Sequence, residues 1–123
     1  MTARSLIAVV DDDESVRESL PDLLHELGFS ARTFASAEEF LSSGAVEQVH
    51  CLILDIAMPG MTGPELQQEL LQRKQAPPIV FITGHADPAV LPRLIEQGAV
   101  DCLLKPFSDT ALLGALEAAL RLD

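Results

Sequence analysis

A chain of 123 residues is long enough to bury one real core and leaves little room for a second, so residues 1–123 are read as a single domain with no output module among them. Eight Lys and Arg against nineteen Asp and Glu give a net charge of −11, which, without a basic stripe, argues against direct nucleic-acid binding and favours cations or basic partners. No apolar run approaches the ~20 residues of a membrane helix, "SLIAVV" behind Arg4 is too short for a signal peptide, and Cys51 and Cys102 look like buried thiols; a cytoplasmic protein without redox chemistry is expected.

The first apolar run, "LIAVV" at 6–10, is continuous, as a strand buried on both faces requires. It runs directly into Asp11, Asp12 and Asp13. A helical pattern follows at 14–27, with Asp13 as N-cap, Glu14 near the positive dipole end, Pro21 inviting a bend and Gly28 closing it. "FSARTF" at 29–34 alternates. Ser36 with Glu39 forms a capping box ahead of a helix at 37–43. "CLILDI" at 51–56 is a third strand interrupted by Asp55, and Pro64 behind Gly63 starts a helix at 64–73. "PIVFIT" at 78–83 reads as a fourth strand, and a helix at 89–97 is expected to be short because Pro92 falls inside it. "VDCLLK" at 100–105 reads as a fifth strand buried on both faces. In the last helix, 108–121, only Asp109, Glu117 and Arg121 are charged, so its outer Ala and Leu residues suggest a partner surface, with extra core contact as the competing reading. The β-α alternation argues a parallel sheet covered by helices on both sides.

In such a sheet, ligands gather beyond the carboxyl ends of the strands. Those ends carry Asp11, Asp12 and Asp13 after the first strand, Asp55 after the third, Thr83 after the fourth and Lys105 after the fifth. Taken singly, each has a plain structural reading: a solvated acidic loop for Asp11 and Asp12, an Asx turn for Asp55, a strand residue for Thr83, a surface lysine before Pro106 for Lys105. Together they suit phosphoryl chemistry. Mg²⁺ neutralises crowded carboxylates, taking one or two of them as ligands. A carboxylate such as Asp55 can accept a phosphoryl group, while a lysine and a hydroxyl bind its oxygens.

The blocks "VVDDDESVRESL", "LILDIAMPGMTG", "FITGHAD" and "GAVDCLLKPFSD" resemble the signature blocks of bacterial two-component response-regulator receiver domains, over residues 6 to 121. Within that family "SAEEFL", "MPGMTG" and "ITGHAD" are most similar to FixJ-like transcriptional regulators, which implies a LuxR-type DNA-binding output after residue 123. The resemblance implies a flavodoxin-like, doubly wound α/β fold: five parallel strands in order 2-1-3-4-5 flanked by five helices. In that order a strand separates those of Cys51 and Cys102, about 10 Å apart at ~4.8 Å per strand, too far for a disulfide. It also implies that Asp55 is the phosphoacceptor, that Asp12, Asp55 and the carbonyl of Ala57 ligate Mg²⁺ with Asp11 acting mostly through water, and that Gly84 leaves its N–H approachable. Lys105 would pair with Asp55 and then with the phosphoryl group, and Thr83 would turn inward to bond it. The implied partners are a sensor histidine kinase and a second copy of the chain, through the face of the fourth and fifth helices.

Two positions depart from the family pattern. Cys102, three before the lysine, replaces the aromatic switch residue of many relatives, and Pro92 lies in a helix that activation remodels. His85, two past Thr83, sits where relatives tune loss of the phosphoryl group. The rival function is a haloacid-dehalogenase-like phosphatase with Asp11 as nucleophile, since "IAVVDDD" also reads as a strand followed by Asp-x-Asp; it lacks an acidic pair after the lysine and leaves Asp55 unexplained. A nucleotide-binding module fails because the first turn is acidic rather than glycine-rich.

Overall fold

The computed structural model describes residues 4–75, 77–85, 87 and 89–121; "FITGHAD" and the terminal "RLD" therefore lie partly outside the described residues. The elements are β1 (Leu6–Val10), α1 (Glu14–Glu26), β2 (Ser30–Phe34), α2 (Ala37–Ser42), a 3-10 turn (Ala45–Glu47), β3 (Cys51–Asp55), α3 (Gly63–Gln72), β4 (Ile79–Thr83), α4 (Leu91–Glu96), β5 (Asp101–Leu104) and α5 (Asp109–Leu120). The strands form one sheet in the order β2-β1-β3-β4-β5, with every adjoining pair parallel.

Side chains alternate across a strand, and that alternation divides the core into two layers. Ile7, Val9, Cys51, Ile53, Val80 and Ile82 meet α1 and α5 through Leu20, Leu24, Leu112 and Leu116. Ala8, Val10, Leu52, Leu54 and Phe81 meet α2, α3 and α4 through Phe40, Leu66, Leu70 and Leu94. Because both layers are filled, β3 and β4 are buried at every position, which is why their sequences are unbroken apolar runs. Cys51 and Cys102 belong to opposite layers with β4 between them, and both are free thiols.

Local signals set the boundaries. Asp13 caps α1 by accepting from Ser15 N–H, and Ser36 caps α2 by accepting from Glu39 N–H. Glu39 reaches back to Ala35 N–H at 3.2 Å, one residue beyond the expected box partner. Thr62 and Glu65 form a complete capping box on α3. Gly28 and Gly98 stand at positive φ just past α1 and α4.

Three expectations need correcting. β5 is an edge strand and not buried on both faces: Asp101 and Leu104 are exposed, the latter at 51 %. α4 is short, as expected, but Pro92 occupies its first turn, where the missing N–H has no helical partner to lose. On α5 the leucines turn inward, Leu112 and Leu116 being fully buried, so core contact accounts for them, while the outer line is Ala111, Gly114, Glu117, Ala118 and Arg121, with its alanines exposed.

Candidate functional site

The parallel register sets the strand ends at one level. Val10 pairs with Leu54, Asp55 with Ile82, and Thr83 with Leu104, so Asp11, Asp55, Thr83 and Lys105 all emerge on the same rim. Asp11, Asp12 and Asp55 each bring a carboxylate oxygen within 4.8 Å of the others. Lys105 Nζ lies 2.9 Å from Asp11 Oδ2 and 3.9 Å from Asp55 Oδ1. The peptide between Lys105 and Pro106 is cis.

Asp11, expected to act mostly through water, is the fully buried member of the cluster. Its Oδ1 accepts from Asp13 N–H at 2.9 Å and its Oδ2 accepts from Lys105. The expected pairing of Lys105 with Asp55 is therefore the longer of two contacts. The physical reason is burial: a carboxylate with no access to water needs the nearest cation most. Asp55, 6 % exposed, is pushed up to about 7 by burial and then by the Asp11 charge, which the Lys105 ammonium only partly offsets. Burial opposes the charge on Lys105, yet the hydrogen bond and charge of Asp11, with Asp55 behind it, raise its ammonium above the usual lysine value. Asp13 turns away from the cluster to its capping role.

One participant escaped the sequence reading. Arg17 Nη1 donates to the backbone carbonyl of Asp11 at 3.0 Å and so pins the acidic loop from the first turn of α1. A lone basic residue one turn beyond three acids was the available signal.

Thr83 is nearly buried, and its hydroxyl is occupied locally, accepting from His85 N–H at 3.1 Å and donating to His85 carbonyl at 3.0 Å. It borders a cavity of about 200 Å³ lined by Ile56, Ala57, His85, Asp87, Val90 and Leu91. Ala57 is exposed two residues past Asp55. Behind it the chain folds back tightly: Gly63 N–H donates to Ile56 carbonyl at 3.0 Å, and a side chain at Gly63 would overlap the Asp55 carbonyl.

Three crowded carboxylates, one with its pKa raised and one, Asp12, open to solvent, are a donor set that fits a small hard divalent cation. Fold and site thus define a doubly wound α/β domain with an acidic, cation-accepting rim beside a lysine and a hydroxyl.

The model described as the response regulator receiver domain matches residues 7–117, and the chain belongs to that family of phosphorylation-dependent signalling switches. It is 42 % identical over 118 residues to the response regulator protein TodT of Pseudomonas putida, covering 96 % of this chain and 52 % of TodT. It is 39 % identical to the transcriptional regulatory protein FixJ of Azorhizobium caulinodans over 93 % of this chain and 54 % of FixJ. Among solved structures, the response regulator StyR superposes with a TM-score of 0.89 at 48 % identity, over 98 % of this chain and 61 % of StyR. The chain spans about half the length of the curated relatives it matches. Receiver domains take phosphoryl groups from histidine kinases and generally use Mg²⁺ at such an acidic cluster. The phosphatase alternative finds no support in these comparisons. Among the described residues no helix is long and apolar enough to cross a membrane.

Proposed function

We propose that Asp55 is the phosphoacceptor of this switch, that Asp12, Asp55 and the Ala57 carbonyl hold Mg²⁺ with Asp11 in support, and that Lys105 and Thr83 bind the transferred group. The observation that carries this reading is the convergence of Asp11, Asp12 and Asp55 within 4.8 Å next to a lysine that contacts both buried members. Mg²⁺, when bound, would neutralise the carboxylates and the charge on the phosphoryl oxygens.

An Asp55 oxygen attacks phosphorus in line; the new O–P bond forms as the bond from phosphorus to the kinase imidazole nitrogen breaks, and the imidazole, protonated on its other ring nitrogen, leaves neutral. Attack requires ionised Asp55, which burial and Asp11 disfavour until positive charge enters the site. Lys105, already 3.9 Å from Asp55, transfers its attention from Asp11 to a phosphoryl oxygen. The Thr83 hydroxyl must leave His85 to reach another, and that exchange couples phosphorylation to the β4–α4 loop. Cys102, partly buried in the same layer as α4, offers no aromatic ring to follow it. A groove of about 460 Å³ lined by Val16, Leu20, Leu23, Lys105, Pro106 and Phe107 opens beside Lys105, where a donor domain would dock. Exposed Ile95 and Leu104 give the α4–β5 side apolar area for a second copy, and a DNA-binding output in a longer chain is the reading that the FixJ likeness favours. The domain catalyses only its own phosphorylation and dephosphorylation.

The test is intact mass after incubation with Mg²⁺ and acetyl phosphate, for wild type, Asp55→Asn and Asp11→Asn. An adduct of one phosphoryl group, absent only from Asp55→Asn, supports the switch. Turnover of phosphate esters that Asp11→Asn abolishes would favour the phosphatase.

A further inference from the structure

The two acids in the first turn of α2 do different work. Glu39 serves its own helix end through Ala35 N–H. Glu38 does not: its Oε2 accepts from Met61 N–H at 3.0 Å, twenty-three residues away in the β3–α3 loop. Beside that contact Gly60 stands at φ +73, and a Cβ there would lie 2.8 Å from the same Glu38 oxygen. Only glycine adopts this conformation at little cost, and only glycine leaves the carboxylate room. The loop is thus fastened at three points: Met58 is buried in the α2–α4 core layer, Gly63 closes the base on Ile56, and Glu38 holds the tip. Ala57 lies between Asp55 and the buried Met58, inside the fastened segment.

We propose that Glu38 is a positioning residue for the phosphorylation site. It fixes the β3–α3 loop from α2 and thereby holds the Ala57 carbonyl at the cation position. This rests on the reading of Asp55 as phosphoacceptor with Ala57 as a backbone ligand. Glu38 touches neither the cation nor the phosphoryl group. Removing a group bonded directly to a metal ligand weakens metal binding by about ten- to a hundredfold; Glu38 acts through the loop backbone, so about tenfold, the lower end, is expected, whereas a merely surface glutamate would leave binding unchanged.

The experiment compares wild type, Glu38→Ala, Glu38→Gln and Gly60→Ala. In metal-free protein, amide hydrogen exchange at Met61 should speed up in Glu38→Ala and in Gly60→Ala, whose methyl displaces the carboxylate; Glu38→Gln keeps an acceptor and should restore protection. Calorimetric titration with Mg²⁺ should show about tenfold weaker binding in the same two variants. Their phosphorylation by acetyl phosphate should be slow at limiting Mg²⁺ and return to the wild-type rate at saturation, a split that general destabilisation does not produce. Unchanged Met61 exchange in Glu38→Ala overturns the proposal, and so does faster exchange with wild-type Mg²⁺ affinity. Wild type that takes no phosphoryl group on Asp55 sinks the phosphoacceptor reading instead, and the Mg²⁺ titration still decides the role of Glu38.

Discussion

Asp55→Asn is the most informative single change, because it removes one charge from a crowded set and preserves shape. In the metal-free fold, burial and the Asp11 carboxylate raise Asp55 from 3.8 to about 7. The folded state therefore holds a proton on Asp55 over a pH range where the unfolded chain has released it. Stability from this group is full below about pH 4 and is lost as pH rises through about 7. The total is at most about 4 kcal/mol, from about 1.4 kcal/mol per pH unit. The asparagine variant escapes this loss. Its stability advantage over wild type should be about 4 kcal/mol larger at pH 8 than at pH 4, and about half of that difference should already be gone at pH 5.5. Urea denaturation followed by circular dichroism in the presence of a chelator measures it, and titrating groups away from the acidic cluster cancel between the two proteins. An advantage that stays constant with pH, or grows as pH falls, would refute the electrostatic reasoning. Mg²⁺ should then stabilise wild type more than Asp55→Asn.

Lys105→Met keeps the apolar stem but strips the buried Asp11 carboxylate of its cation; a loss of about 3 kcal/mol in urea denaturation at pH 7.5 is expected, and unchanged stability would contradict the pairing. Gly63→Ala forces a methyl into the Asp55 carbonyl and should cost at least about 2 kcal/mol, while Gly114→Ala on α5, with nothing within 4 Å of the added carbon, should gain up to about 1 kcal/mol; thermal melts of the pair check both signs. His85→Ala opens the cavity beside Thr83 and Ala57 to water and should shorten the acyl-phosphate lifetime, read by loss of the phosphoryl mass with time; an unaltered lifetime removes His85 from that role.

The central strands were legible because β1, β3 and β4 are buried on both faces and must be apolar throughout. β5 carries nearly the same composition, yet it has a neighbour on one side only, and no local pattern in "VDCLLK" distinguishes an edge Leu104 from a core one. The 3-10 turn at Ala45–Glu47 was too short for periodicity to reveal, whereas the Thr62–Glu65 capping box was readable as T-x-x-E and overlaps the start signal that Pro64 gives to the same helix. The site was legible at the level of which residues meet, since parallel strands deliver their carboxyl ends to one rim. Which carboxylate Lys105 favours was not, because that choice depends on the relative burial of Asp11 and Asp55. The contact from outside the strand ends that joins Glu38 to Met61 depends on a loop path that sequence spacing does not encode, whereas Arg17 beside Asp11 left a local signal.

Borohydride reduction of the phosphorylated protein tests the central claim most directly, since it converts an aspartyl phosphate to homoserine at the residue that carried it. After acetyl phosphate and Mg²⁺, peptide sequencing by mass spectrometry should find homoserine at position 55 and aspartate intact at 11 and 12. Homoserine at position 11 or 12, or a phosphoryl group on any residue other than Asp55, would contradict it.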